Sequence, residues 1–293
     1  GTIWAIENIG GITQEGERLL LEGARLAALH ILGNQINHKL ELQVREGTLR
    51  SALYASLSTK EISYRLALPA GTVLSLIGFA AISESNGTAP LITHLSNELS
   101  KYLTLFRPDA VITTTSWAVY VLLPGGESDS VARLVNGALT AIHLAFKDQI
   151  RAAIAHASTQ LSDLPEMRRE IDEILRVTMA NPDLPAVAKL EDVHARVLLS
   201  HVADELMREP MLKHPGIEAM LAYDLENKTN YADSITAWLD AVGDIALAAK
   251  SLFIHANTLR YRLRRVKDLF NITLDNPDDR LAVWMQLRLA IRD

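Results

Sequence analysis

The 293-residue chain is long enough for two or three modest domains rather than one core. With 48% apolar and 22% charged residues it has the balance of an ordinary globular protein, and without cysteine it forms neither disulfides nor thiolate metal sites, as suits a reducing cytoplasm. No apolar run approaches the roughly 18 residues that span a bilayer, and a formal charge of -6 argues against nucleic acid covering the whole surface.

Taken in chain order, Ile3-Trp4-Ala5-Ile6 is a short β-prone run closed by the turn-like Asn8-Ile9-Gly10-Gly11. The start, Gly1-Thr2-Ile3-Trp4, is neither a signal peptide nor a natural initiator and reads as a strand cut into from upstream. After Thr13, a candidate N-cap, Leu19, Leu20, Leu26, Leu29, Ile36, Leu40, Val44 and Leu53 recur at helical spacing. Gly23, Gly33 and Gly47 interrupt the pattern, which predicts two or three linked helices ending near Leu57. Such a stripe suits pairing with its copy in a dimer or packing against a domain upstream.

The middle section predicts a buried strand over Val73–Ala80 and an amphipathic helix over Ala89–Phe106. A hairpin of residues 110–113 and 118–123 follows, turning at Thr114-Thr115-Ser116, then a helix from about Asp129 to Phe146 and a strand near Arg151–Ala155. A helix over Pro165–Met179 and a short strand near Ala186–Leu190 complete it. The βαββαβ order predicts a ferredoxin-like α+β domain with its helices on one sheet face. From Val193 the chain reads as helical to its end, broken at Pro210 and Pro215, with a last helix begun by Pro277-Asp278-Asp279 and marked by Leu281, Trp284, Leu287 and Ile291. The fold expected is therefore α+β and multidomain: a helical linker over 1–58, the ferredoxin-like domain over 59–192, a helical connector over 193–220, and an all-α domain over 221–293.

The informative stretch runs from Asp244 to Val266. Between Lys250 and Lys267 lie Lys250, Arg260, Arg262, Arg264, Arg265 and Lys267 with no Asp or Glu, a local surplus in an acidic chain. A first helix turns Ile245, Ala248, Ala249 and Leu252 inward, its small alanines admitting a close crossing, and Ile254 plugs the turn. On the second helix Leu259, Leu263, Val266 and Phe270 recur at spacings of 4, 3 and 4 and form one narrow buried sector. The opposite sector collects Asn257, Thr258, Tyr261, Arg264 and Arg265, with Arg260 on its flank. This is a helix-turn-helix offering amide, phenol and guanidinium groups to a major groove. Asn257, Thr258 and Tyr261 are assigned to base or positioning contacts, and Lys250, Arg260, Arg262, Arg264 and Arg265 to phosphate. Arg262 lies at the edge of the buried sector, where its stem can pack. A solvated basic helix that binds nothing is the plain alternative.

His255-Ala256-Asn257-Thr258-Leu259-Arg260-Tyr261-Arg262-Leu263-Arg264-Arg265-Val266 resembles the HxNTLRYRLxRI signature of PucR/CdaR-type regulators. The alanine-rich helix before it and Asp275-Asn276-Pro277-Asp278-Asp279-Arg280-Leu281 after it are similar to the C-terminal domain of that family as well. Ala256 departs from the larger, often basic residue there, and His255, counted with the DNA-binding set, makes a weak N-cap. With less specificity, Lys60–Leu190 resembles the family's GGDEF-like domain, and residues 1 to about 35 resemble the last strand and helix of a GAF sensor. The resemblance implies a bacterial, cytoplasmic transcription regulator that binds double-stranded DNA as a homodimer, answers a small-molecule effector at an upstream sensor, and uses no membrane.

Enzyme readings find little support. The hairpin reads Thr113-Thr114-Thr115-Ser116-Trp117 where a cyclase needs acids for metal and glycines for nucleotide, and Gly125-Gly126-Glu127 lies beyond the second strand, in a turn after Pro124. The nine histidines are scattered; His194 and His201 share a helix side with Asp204 or Glu205, without an i, i+4 pair. The expectation is no catalytic residue, no metal and no cofactor. Residual nucleotide binding in the middle domain and a protein-interaction module are the alternatives.

Overall fold

A computed structural model describes residues 14–82, 88–126, 128–146 and 149–290. The strand expected at Ile3–Ile6, the cap at Thr13, Glu127 and Ile291 lie outside the described residues. The chain divides into two compact units, Gly1–Val193 and His194–Asp293.

The first unit opens with α1 (Gln14–Leu53), one continuous helix of 40 residues rather than the two or three expected. Its glycines cost helix propensity, about 1 kcal/mol each, but a glycine without a proline or an inserted side chain does not break the hydrogen-bond ladder. Helix α2 (Thr59–Leu66) was not expected at all. Ser58 caps it by accepting from the Glu61 N–H, and Ala67 closes it in left-handed backbone.

The sheet follows the predicted elements closely: β1 (Leu74–Ala81), α3 (Thr88–Phe106), β2 (Val111–Thr114), β3 (Val119–Pro124), α4 (Ser128–Phe146), β4 (Ile150–Ile154), α5 (Leu164–Ala180) and β5 (Val187–Ala188). The strand order is β2-β3-β1-β4-β5, antiparallel except for the last pair, where Ala152 stands beside Val187. The hairpin turn is Thr115–Ala118, with the Thr115 N–H donating to the Ala118 carbonyl at 2.9 Å.

Helices cover both faces of this sheet, which corrects the one-face expectation. Ile77, Phe79 and Ala81 alternate with β3 and β4 residues in a core shared with Leu95 and Leu99 of α3 and Val135 and Ala138 of α4. On the other side Gly78 lies against Ile171 and Leu175 of α5, so close that an added Cβ would stand 2.2 Å from the Ile171 methyl. A strand buried on two faces loses its polar alternation, and all eight residues of β1 are buried. On the α5 side the Tyr120 hydroxyl and Arg168 both donate to the Asp172 carboxylate. Arg168 also donates through Nε to the Leu53 carbonyl at 3.1 Å and lies 4.6 Å over the Tyr54 ring, which pins the end of α1.

The second unit is helical. α6 (Leu190–Arg208) and α7 (Pro215–Asn227) precede α8 (Tyr231–Asp240), α9 (Ile245–Ser251), α10 (Ala256–Phe270) and α11 (Pro277–Ala290). Its core joins Ile217 and Met220 of α7, Ile235 and Leu239 of α8, Val266 and Phe270 of α10, and Val283 and Leu287 of α11. Tyr223, Tyr231 and Phe270 stack edgewise at its margin. Asp224 ties α7 to α8 by accepting from the Tyr231 and Ala232 N–H groups at 3.0 and 2.8 Å.

Candidate nucleic-acid interface

Between α8 and α9 the chain reverses through Val242 and Gly243, both left-handed, with the Trp238 indole N–H donating to the Gly243 carbonyl at 2.8 Å. Asp244 then starts α9: its carboxylate accepts from the Ala246 and Leu247 N–H groups at 2.7 and 3.0 Å, two donors that the helix itself leaves unpaired. Asp244→Ala is expected to cost about 1 kcal/mol, seen as a lower urea midpoint with an unchanged slope.

Helix α9 meets α10 over small side chains. Ala248 and Ala249 are buried against Leu259, with Ile245, Leu252, Ile254 and Ala256 packed around them. The turn is closed by the Ile254 N–H donating to the Ala249 carbonyl at 3.0 Å, with Phe253 in left-handed backbone at φ 56°. His255, expected to be a weak cap, does cap α10: its Nδ1 accepts from the Asn257 N–H at 3.2 Å. The buried sector forms as predicted, with Leu259 and Val266 fully buried, Phe270 nearly so and Leu263 partly.

The other side of α10 exposes His255, Asn257, Thr258, Arg260, Tyr261 and Arg264, and Lys250 is exposed at the end of α9. Lys250, Arg260 and Arg264 have no carboxylate partner among the described residues; Arg260 donates to the Asn257 side-chain oxygen at 2.9 Å. The other cations are placed differently. Arg262 is half-buried and donates to the Ser234 hydroxyl of α8 at 3.1 Å, so it sits against protein rather than on the exposed side. Arg265 is half-buried too, its Nε enclosed without a hydrogen-bond partner. Lys267 is paired with Asp275 at 2.7 Å, a hydrogen bond that pushes its pKa up. The local surplus of six cations thus presents three that are exposed and without an ion-pair partner among the described residues.

Sequence reasoning missed Phe253. Its ring is 96% exposed at a backbone conformation that costs an L-residue roughly 1–2 kcal/mol. Its position in a tight turn, where glycine is the ordinary residue, was the available signal. Among the described residues no cluster of three or more His, Cys, Asp or Glu is placed to hold a metal, and no helix is long and apolar enough to cross a membrane.

Two helices of this kind joined by a four-residue turn, braced by α8 and α11, define a helix-turn-helix domain. Residues 231–289 match the PucR C-terminal helix-turn-helix domain. Beyond that domain, the chain is similar to the proline-responsive transcriptional activator PutR of Bacillus subtilis (strain 168), at 22% identity over 99% of this chain and 72% of that protein. The DNA-binding transcriptional activator AdeR of the same organism is 30% identical over 71 residues, 24% of this chain and 17% of that protein. The carbohydrate diacid regulator of Escherichia coli (strain K12) is 37% identical over 65 residues, 22% of this chain and 17% of its own. The matches to AdeR and the diacid regulator therefore span about a sixth of those relatives' lengths. The crystal structure of a regulator of polyketide synthase expression from Bifidobacterium adolescentis is 18% identical, with a TM-score of 0.41 over 85% of this chain and 93% of that one.

Proposed function

We propose that this chain is a sequence-specific, DNA-binding transcription regulator that presents α10 to the major groove of a duplex. The observation that carries the reading is the exposed side of α10: Asn257, Thr258 and Tyr261 near its N-terminus, flanked by Arg260 and Arg264, neither with a carboxylate partner among the described residues, opposite a fully buried leucine and valine. Amide and phenol groups read base edges, and the cations hold phosphate. Lys250 and Arg265 complete the phosphate set, and His255 shapes the entry into the helix. Arg262 orients α10 against α8 instead of touching DNA. The Asn257–Arg260 hydrogen bond must open for Asn257 to reach an adenine.

The regulator answers a small-molecule signal, a reading supported by a relative described as proline-responsive that aligns along nearly the whole chain. The sheet-bearing unit would relay the signal as a degenerate GGDEF-like domain of ferredoxin-like build; the order β2-β3-β1-β4 supports that build. A GAF-like segment over residues 1 to about 35 belongs to the same reading. Domain boundaries near 58 and 192 go with it, and the break between compact units at Val193 supports the second; the boundary expected near 220 is corrected, because it would cut through α7, whose Ile217 and Met220 belong to the core of the helical unit.

A mobility shift against the region upstream of the chain's own gene tests the proposal. For Arg260→Ala/Arg264→Ala the slope of log affinity against log salt is expected to flatten by about 2, close to one per phosphate contact. Arg262→Met is expected to leave that slope unchanged. Binding and salt dependence that survive the double substitution would remove this surface from DNA.

A further inference from the structure

Among the described residues Phe253 is the most exposed large apolar side chain. It follows the C-cap of α9: its N–H donates to the Lys250 carbonyl at 3.2 Å, and the next N–H, that of Ile254, donates to the Ala249 carbonyl at 3.0 Å. That pair of bonds is a Schellman motif, whose left-handed residue is ordinarily glycine. A phenylalanine there strains the backbone, and its ring, almost wholly in water, gains next to nothing from the chain itself. Strain kept at such a position points to a contact outside the chain. Of the six residues other than glycine that have positive φ among the described ones, only Val242 also exposes a large apolar side chain. Val242 stands between Asp240 and Asp244, whose carboxylates are unsuited to a polyanion. Phe253 stands in a stretch, residues 245–267, without a single Asp or Glu, and exposed Lys250, His255, Arg260 and Arg264 surround it in sequence.

We propose that Phe253 is a further DNA contact, its ring packing on the apolar surface of the duplex, a thymine 5-methyl or a deoxyribose, beside the groove that α10 enters. The proposal rests on the regulator reading and adds a residue to its surface. Ile254 packs inward against Ala248, Ala249 and Leu259, while its neighbours Phe253 and His255 are both exposed, so the two leave the turn away from the core. Two residues separate Phe253 from the N-cap of α10, a reach of at most about 7 Å. A major groove is about 12 Å wide, so a ring rooted that close to the N-cap comes up against the wall of the groove that receives Asn257. The neighbouring cations hold phosphate, and the ring takes the apolar surface between phosphates, as phenylalanine does with a thymine methyl. A protein partner for this ring would have to be acidic as well; the adjoining base-reading side of α10 favours the duplex.

Mobility shifts with the full chain on the region upstream of its own gene test the contact. Phe253→Gly is expected to weaken binding about tenfold, what removing roughly half of such a ring from water is worth. The slope of log affinity against log salt should stay at the parent's value, because an apolar contact releases no counterion. The melting temperature of the helical unit should be no lower than the parent's, since glycine accepts left-handed backbone freely. Phe253→Tyr keeps the ring and is expected to keep the parent's affinity. On the same fragment made with uracil in place of thymine, the gap between parent and Phe253→Gly closes if the ring meets a 5-methyl and persists if it meets deoxyribose; either result places it on DNA. Equal binding by parent and Phe253→Gly, or a loss that Phe253→Tyr shares, would overturn the contact while leaving the regulator reading intact. A parent that shifts no DNA would overturn both.

Discussion

Gly216→Ala is expected to lower the stability of the helical unit by about 3 kcal/mol, the upper end of what overpacking costs. Helix propensity alone predicts the opposite sign, because Gly216 sits in the first turn of α7, where alanine gains up to about 1 kcal/mol. The contact decides. A Cβ at position 216 would stand 2.1 Å from the Phe270 carbonyl oxygen, and a backbone oxygen at the end of α10 has no rotamer in which to retreat. The His214 ring, at 3.0 Å, closes the other way out, since it caps α7 through the Gly216 N–H and its own backbone N–H is held by Gln286. Helix α7 must therefore lift from α10, opening the core at Ile217, Met220 and Phe270. For a unit of about 100 residues, 3 kcal/mol corresponds to a fall in melting temperature of about 12–24 °C. Fluorescence of Trp238 and Trp284 reports the transition in this unit. A melting temperature equal to or above the parent's would mean that propensity outweighs the close approach.

Much of the secondary structure was legible because burial leaves a period. The elements from β1 to α5 fall within a residue or two of the expected bounds, and the 4, 3, 4 spacing of Leu259, Leu263, Val266 and Phe270 found the buried sector of α10. Two local signals were passed over or overweighted. Ser58-Thr59-Lys60-Glu61 is the pattern of a capping box and marks the start of α2. The glycines of α1 suggested breaks that a long helix tolerates. The one-face sheet was a misreading of β1, whose apolar residues stand on both sides of the strand without regular polar alternation and already described a strand covered on both sides. Other features were beyond local reasoning. Helical position already set Arg262 at the edge of the buried sector, but its partner Ser234, 28 positions earlier, is set by the packing of α10 on α8. Lys267 loses its availability to Asp275, eight residues on, across a turn whose geometry no periodicity encodes. The grouping of Tyr54, Tyr120, Arg168 and Asp172 exists only once α1, β3 and α5 are assembled.

Arg168→Met should expose what that grouping contributes, at about 3 kcal/mol, the lower end for breaking a buried pair. Methionine keeps the apolar stem, so the loss reflects charge and hydrogen bonding rather than a cavity. Arg168 and Asp172 keep only 20% and 22% of their side chains exposed, and the guanidinium also holds the Leu53 carbonyl at 3.1 Å. The pH dependence separates the charge from the rest. The Asp172 carboxyl is held above its ordinary 3.8 because burial outweighs the Tyr120 hydrogen bond and the Arg168 charge. Tyr120, in turn, is pushed far above 10.0 by burial and by the neighbouring carboxylate, so it stays a neutral donor throughout the physiological range. A carboxyl with a raised folded-state pKa favours the folded chain in its protonated form; that stability is full below 3.8 and is lost as pH rises through the folded-state value. Without the guanidinium the carboxyl rises further, and the variant loses more over the same climb. The difference in stability between parent and variant is thus expected to be small in acid and to reach its full size at neutral pH. A difference that stays constant with pH would instead assign Arg168 to holding the end of α1 through Leu53 and Tyr54, with its charge on Asp172 of little consequence.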